Sequence, residues 1–278
     1  MRKDIYFYWG NRTMSFMRYM TLHSFCKLNP DWNIHLIVNK QSNQVLENMV
    51  EKQDKTEFKG KDYTALINNL NVNIICFENK MINLDNSVVE HMSDVHIKDI
   101  LNWKILSEWG GAVADMDILF IKPIGSSIAT DTDIGLICFK KYPKPDYIPV
   151  SFMYSSGDNE FFEKTYRRAL SNYDSKVYES CGTLCIEEKN IAEVIEVYPK
   201  YNVQHLPDAL VFPFVNYEWN ESIRLLYSGD HRVMIHKDAV GIHWYAGTSQ
   251  SQVQNNKLND ETIYIINNTV SNSIEEVL

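Results

Sequence analysis

Short apolar runs with the composition of β-strands alternate with helical segments through the first half of the chain. The runs cover residues 4–9, 33–38, 72–77 and 112–121. This alternation is typical of an α/β protein with a doubly wound sheet. More strand-like runs follow, without a linker or a repeat. We therefore expect one α/β domain over residues 1–278, with a mixed sheet flanked by helices and a strand-rich C-terminal half.

The composition limits the class of protein. The chain has 278 residues, of which 45% are hydrophobic and 12% aromatic, so a disordered chain is excluded. A net charge of -9 disfavours a general polyanion-binding surface. Five scattered cysteines and the isolated C-x-x-x-C at Cys181 and Cys185 do not match a zinc site. Without a signal-peptide pattern or an apolar run of membrane-spanning length, we expect a cytoplasmic protein, or one of the host cytoplasm if it is viral.

The stretch EWGGAVADMDILF, residues 108–120, contains the most informative pattern. Residues 94–109 place apolar side chains on one helical face, and Gly110 is a natural end for that helix. The next strand carries Asp115 and Asp117, which share one face of an ideal strand. A pair of solvated aspartates in a turn is one interpretation. At the end of a parallel strand, however, where ligands bind, the two carboxylates favour a divalent cation.

A histidine near the C-terminus is a candidate third ligand. His243 lies in GIHWYAG, and its imidazole could bind a metal together with the acidic pair. The alternative is a partly buried histidine that is hydrogen-bonded to the backbone. The neighbouring Trp244 could close over a ligand or belong to the core.

The block KDILNWKILSEWGGAVADMDILFIKPI resembles the centre of the DXD-containing sugar transferases with the GT-A fold. That family includes the initiating α-mannosyltransferases and the glucosylating bacterial toxins. Weaker similarity extends from Asp4 to Ser249. The residues that match the family pattern at the right spacing are Asp99, Leu106, Gly110, Gly111, Asp115, Asp117 and Pro123.

The resemblance implies a GT-A fold and a metal-dependent glycosyltransferase that uses a nucleotide-sugar donor, a UDP-sugar, and retains the anomeric configuration. The donor half would be about residues 1–125 and the acceptor half about 126–278. The metal, Mn²⁺ or Mg²⁺, would be held by Asp115, Asp117 and His243. The implied catalytic residues are Asp115, Asp117 and Asp99, the last accepting hydrogen bonds from sugar hydroxyls. The implied donor-binding residues are Trp9, Gly10, Asn11, Asp99, Asn102, Gly111, Asp115 and Trp244.

Several implied roles have alternatives. Trp9 would stack on the nucleobase, although plain core packing is also consistent with its position. Asn102 stands where the family usually has arginine, and Lys98 stands where it has serine. Both departures leave the identity of the donor open.

The acceptor is also open. A glycan or a lipid-linked saccharide is the family default, and a protein or a hydroxylated base of phage-type DNA is an alternative. The stretch FKKYPKPDY, residues 139–147, could hold a phosphorylated or nucleic-acid acceptor, or it could be a charged surface loop. Functions of another kind are a metal-dependent hydrolase of phosphodiesters or nucleotides and an inactive sugar-binding module.

Overall fold

The structure is a computed structural model that describes residues 1–10, 13–40, 58–84, 86–141 and 144–278. Within these ranges the chain forms nine strands. They are β1 (Asp4–Gly10), β2 (Asn33–Asn39), β3 (Asn73–Cys76), β4 (Gly111–Ala114), β5 (Ile118–Phe120), β6 (Ile134–Ile137), β7 (Phe152–Ser155), β8 (Val203–Leu206) and β9 (Gly241–His243).

Eight α-helices lie in the same ranges. They are α1 (Phe16–Leu28), α2 (Asn86–Val89), α3 (Asp94–Glu108), α4 (Glu160–Asn172), α5 (Ile191–Val197), α6 (Trp219–Tyr227), α7 (Ser249–Lys257) and α8 (Thr269–Val277). None of the described helices combines the length and the apolar character that crossing a membrane requires.

Seven of the described strands form one mixed sheet in the order β3-β2-β1-β4-β7-β6-β8. The first four are parallel, β7 runs antiparallel to both of its neighbours, and β8 is parallel to β6. From β1 the chain moves outward to β2 and β3 and then returns to place β4 on the other side of β1. In α/β folds, ligands bind outside the carboxyl ends of the strands at such a reversal of strand order, which here means the ends of β1 and β4.

Apolar side chains cover both faces of this sheet, as expected for a doubly wound fold. Along β1, Ile5 and Phe7 point into one core, and Tyr6 and Tyr8 point into the other. This alternation follows from the two-residue period of a strand. Helix α1 packs on the first face and α3 on the second. The predicted mixed α/β sheet flanked by helices is confirmed.

The predicted strand at residues 112–121 is in fact two strands. It forms β4 in the large sheet and β5, which pairs antiparallel with β9 in a separate two-stranded sheet. The chain changes sheets between Asp115 and Asp117, within a turn. The apolar run did not reveal this break because both strands are fully buried and have the same composition.

The expected strand-rich C-terminal half is wrong. After residue 125 the described residues form four strands of three or four residues each, and five of the α-helices. Buried apolar segments such as residues 209–214 lie outside the strands, and periodicity cannot distinguish them from strands. The stretch at 139–147 makes a single bridge between Phe139 and Tyr147. Tyr142 and Pro143 lie outside the described residues.

Candidate active site

Two aspartates and one histidine converge beyond the carboxyl end of β4. One ligand atom from each of Asp115, Asp117 and His243 lies within 4.8 Å of the other two. The Nε2 atom of His243 is 3.4 Å from Oδ1 of Asp117 and 3.9 Å from Oδ2 of Asp115. All three side chains retain between 11% and 19% of their exposure, so solvent and a ligand can reach them.

Backbone hydrogen bonds fix the two aspartates from different sheets. The amide of Asp115 donates to the carbonyl of Ser151, which continues the pairing of β4 with β7. The carbonyl of Asp117 accepts from the amide of Trp244, next to the pairing of β5 with β9. Between the two aspartates, the carbonyl of Met116 accepts from the hydroxyl of Thr21 on α1, at 3.0 Å. Hydrogen bonds beside the large sheet, beside the small sheet and from α1 therefore fix the backbone of the acidic pair.

The segment after β9 wraps around Asp117. The amide of Ala246 donates to Oδ2 of Asp117 at 2.8 Å, which leaves Oδ1 facing His243. This wrap requires a bend at Tyr245, whose φ is +53°. A bulky residue in the left-handed region costs about 1–3 kcal/mol, and such residues cluster at functional sites.

A lysine lies beside the acidic pair. The ammonium of Lys98, on α3, donates to Oδ1 of Asp115 at 2.6 Å and lies 3.1 Å from Oδ1 of Asp99. Burial opposes the charge on Lys98, but Asp115 and Asp99 outweigh it and raise its pKa well above the usual value. Burial also acts to raise the pKa of Asp115, while Lys98 and His243 outweigh it and lower that pKa. The lysine and Asp115 are therefore both charged at neutral pH.

Asp99 is the most buried carboxylate of the site. Its side chain retains 5% of its exposure, and burial raises its pKa, which Asp115 raises further while Lys98 opposes. Its Oδ1 is ion-paired with the ammonium of Lys98 at 3.1 Å, although no described residue donates to it with good hydrogen-bond geometry. A carboxylate oxygen has more than one lone pair, so Oδ1 can accept from a ligand hydroxyl while it pairs with Lys98.

Gly182 makes room for Asp99. A Cβ atom at this position would lie 2.6 Å from Oδ2 of Asp99, which is closer than real contacts allow. The turn around Gly182 is tied to α3 by a 2.7 Å hydrogen bond from Nε1 of Trp103 to the carbonyl of Cys181. The glycine therefore lets this turn close over the carboxylate.

Arg18 contacts both of the tryptophans that are predicted to bind the donor. The guanidinium carbon of Arg18 lies 5.1 Å from the ring centre of Trp9, at the end of β1, and 5.1 Å from that of Trp244. Trp9 is half-buried, whereas Trp244 is fully buried. Among the described residues, Nε1 of Trp244 has no hydrogen-bond partner. Trp244 also follows His243 directly, so the aromatic group adjoins the metal-ligand cluster.

Four other residues are predicted to bind the donor, and the structure places two of them near the site. Gly10 ends β1 beside Trp9, and Asn102 is buried one helical turn beyond Asp99 on α3. Asn11 lies outside the described residues. Gly111 is at the opposite end of β4 from Asp115, with φ +99°, and a Cβ there would lie 2.6 Å from the carbonyl oxygen of Asp4. This contact accounts for the glycine through packing against β1.

Sequence reasoning missed three residues of this site. The sequence shows Lys98 only as a departure from the family pattern, because its contact with Asp115 is long-range. Arg18 carried no signal, because its partners are distant in the chain. Tyr178, half-buried, also lies here: burial raises its pKa, Lys98 opposes this, and Asp99, Asp115 and Asp117 raise it further.

The residues fit a divalent metal. Two carboxylates and one imidazole offer oxygen and nitrogen ligands at mutual distances that one ion can span. The backbone amide on Asp117 orients its carboxylate, as groups behind a metal ligand commonly do.

Comparisons with known proteins place this site in a wider context. Neither the family models nor the curated proteins match the sequence. Among solved structures, the PaToxG glycosyltransferase is similar with a TM-score of 0.52 and 20% identity, over 72% of each chain. The apo-form glycosyltransferase GlyE of Streptococcus pneumoniae TIGR4 is similar with a TM-score of 0.46 and 8% identity, over 99% of this chain and 63% of GlyE. The galactosyltransferase LgtC, in complex with donor and acceptor sugar analogues, is similar with a TM-score of 0.39 and 11% identity, over 93% of this chain and 98% of LgtC.

The similarity to PaToxG concerns the fold, since so low an identity does not extend to the chemistry. The similarity extends over 72% of each chain, and the large sheet of this chain is mixed and seven-stranded. The chain has the GT-A-type fold of glycosyltransferases.

Proposed function

We propose that this protein is a metal-dependent glycosyltransferase that moves a sugar from a nucleotide-sugar, a UDP-sugar, to a hydroxyl acceptor with retention of configuration. The observation that carries the proposal is the convergence of Asp115, Asp117 and His243 at the carboxyl end of β4, beside the buried carboxylate of Asp99. The fold supports the same proposal, because ligands of α/β folds bind outside the carboxyl ends of the strands, and the cluster lies beyond the carboxyl end of β4.

The metal would be held by Asp115, Asp117 and His243, with Mn²⁺ or Mg²⁺ as the candidates. When bound, it supplies the Lewis acid that neutralises the diphosphate leaving group. Asp117 is fixed by the Ala246 amide, so its Oδ1 points at the ligand position without rearrangement. Such preorganised charge is the main source of catalysis in polar active sites.

Asp99 would orient the sugar of the donor. Its Oδ1, which pairs with Lys98, keeps a lone pair that can accept a hydrogen bond from a sugar hydroxyl, and the turn at Gly182 covers its other oxygen. Water would be excluded from this side by the same turn. Trp9 would stack on the nucleobase at the end of β1, and Trp244 and Gly10 would complete that side of the donor site.

The proposed acceptor is a hydroxyl group of a glycan or of a lipid-linked saccharide. A protein or a hydroxymethylated DNA base is the alternative. Tyr147, the last residue of the sequence stretch 139–147, lies near the turn that covers Asp99, because its hydroxyl is 3.3 Å from that of Thr183, next to Gly182. This contact supports an acceptor site near these residues.

A hydrolase is the competing function. Two-metal hydrolases need a second set of ligands, and the described residues hold one cluster of metal-ligand type. The difference is measurable, since a transferase releases nucleotide faster when an acceptor is added and a hydrolase does not.

The first experiment is a thermal-shift panel of nucleoside diphosphates and nucleotide-sugars with Mn²⁺, Mg²⁺ or EDTA. A ligand that binds the native state raises the melting temperature, and a metal-dependent rise with uridine nucleotides is expected. The identified donor is then tested for transfer to glycans, proteins and hydroxymethylated DNA. No shift with any nucleotide would overturn the proposal.

A further inference from the structure

We propose that Lys98 is a donor-binding residue that contributes the second positive charge for the diphosphate, next to the metal. The inference rests on the proposed function and deepens it. It comes from the way in which the two oxygens of Asp115 are divided.

Asp115 faces two different cation positions. Its Oδ1 accepts from the ammonium of Lys98 at 2.6 Å, and its Oδ2 faces Nε2 of His243 at 3.9 Å, on the metal side. A single carboxylate thus separates the lysine from the metal position. A diphosphate carries oxygens on both phosphates, so in this proposal one oxygen binds the metal and another accepts a charge-assisted hydrogen bond from Lys98.

The ammonium is held without being fully used. It has three N–H donors, and the described residues supply two carboxylates, Asp115 and Asp99, as its partners. Its side chain retains 18% of its exposure, so it is not sealed in the core. One donor is therefore available to an anion that enters beside Asp115.

A count of charges shows why the lysine matters. Asp99, Asp115 and Asp117 carry three negative charges when ionised, and Lys98 carries one positive charge, so a divalent metal brings the site to neutrality. Without Lys98 the metal-loaded site would keep a negative charge and repel the diphosphate. The lysine should also repel the metal itself, because like charges near one carboxylate compete for it.

Two effects of opposite sign follow for Lys98→Met. Binding of Mn²⁺ alone should tighten about three- to tenfold, because a nearby positive charge is lost and both oxygens of Asp115 become available. Binding of inorganic pyrophosphate or UDP in saturating Mn²⁺ should weaken about 10- to 100-fold, the usual effect of losing a charged hydrogen bond. A merely structural lysine would weaken both.

The experiment measures Mn²⁺ alone, Mn²⁺ with pyrophosphate and Mn²⁺ with UDP by titration calorimetry on the full chain. Lys98→Arg keeps the charge and should restore pyrophosphate binding to within about fivefold. Lys104→Met is the matched control, because Lys104 is a partly buried lysine of the same helix that pairs with Glu108. That variant should bind all three probes as the unmodified protein does.

A second variant covers the possibility that Lys98→Met does not fold, since Asp99 would be left buried without its cation. Lys98→Met/Asp99→Asn removes both charges, so the net charge of the site is that of the unmodified protein. Weaker pyrophosphate binding by this variant then reports the loss of contact with the ammonium. Equal pyrophosphate and UDP binding by unmodified and Lys98 variants would overturn the inference, whereas failure of the unmodified protein to bind any nucleotide with metal would overturn the proposed function instead.

Discussion

The imidazole of His243 lies 3.4 Å, through Nε2, from Oδ1 of Asp117, although the two residues come from opposite halves of the chain. The pairing of β5 with β9 brings them together, since Ile118 and His243 are partners in that ladder. The small sheet therefore brings His243 to Asp117, whereas Asp115 is held by the large sheet.

Asp117→Asn should remove activity and leave the fold largely intact. The amide oxygen can still accept from Ala246, but the charge that holds the metal is lost. We expect transfer to fall about 100-fold or more, and the metal-dependent thermal shift to disappear. Asp131→Asn, at an exposed position, should change neither quantity. Full activity of Asp117→Asn, or its unfolding, would show that the metal role is wrong.

Asp99→Asn should stabilise the metal-free protein while it reduces transfer. Burial raises the pKa of Asp99 in the folded state, so the folded protein binds a proton more tightly than the unfolded chain. The charged form therefore costs stability, and that cost grows as the pH rises from the unfolded pKa, about 3.9, through the raised folded value. Melting temperatures of the two proteins should converge at low pH and separate towards pH 7, with the variant higher. A lower melting temperature for the variant at pH 7 would contradict this explanation.

Gly182→Ala should displace Asp99. The added methyl group would meet Oδ2 at 2.6 Å, so either the turn or the carboxylate must move. We expect a loss of stability of about 1–3 kcal/mol, as for other overpacked sites, together with a higher KM for the donor. Chemical denaturation and steady-state kinetics measure the two effects. Gly247→Ala is the stability control, since no atom lies within 4 Å of a Cβ there, and an equal effect of both substitutions would refute the crowding argument.

Trp9→Ala should weaken binding of UDP but not of inorganic pyrophosphate. Stacking of a base on an aromatic ring contributes about 1–3 kcal/mol, which corresponds to a roughly 5- to 150-fold change in affinity. Trp9→Phe keeps an aromatic face and should lose less. Titration calorimetry with both ligands separates the base from the phosphates. Equal losses for UDP and pyrophosphate would mean that Trp9 supports the fold rather than the base.

Much of the fold could be predicted from local patterns. Helix α3 ends as predicted, because Gly110 has φ +72° and its amide donates to the carbonyl of Ile105. At the start of α4 the sequence offers two adjacent capping residues, Asp158 and Asn159, and it is Asn159 that accepts from the amide of Phe161. Both residues can cap a helix, and only the backbone conformation decides between them.

The site could be predicted only in part, for a physical reason. Two carboxylates close in sequence gave a visible pattern, and His243 completed it through a motif. Lys98 and Gly182 act through long-range contacts with Asp115 and Asp99, and such contacts leave no periodic trace in a single sequence. The departures from the family pattern were visible, but their effect on charge required the three-dimensional arrangement.

The change of sheet between Asp115 and Asp117 has a mechanical consequence. Asp115 is bonded to the large sheet, whereas Asp117 is bonded to Trp244 next to the small sheet, which contains His243. An ion bound by all three residues would therefore connect the two sheets. Amide hydrogen exchange in β5 and β9 should slow when Mn²⁺ binds and recover after chelation, with little change in β2 and β3. Metal-free protein should therefore open first between the two sheets, at the turn that carries the acidic pair. Bound metal should suppress this local opening.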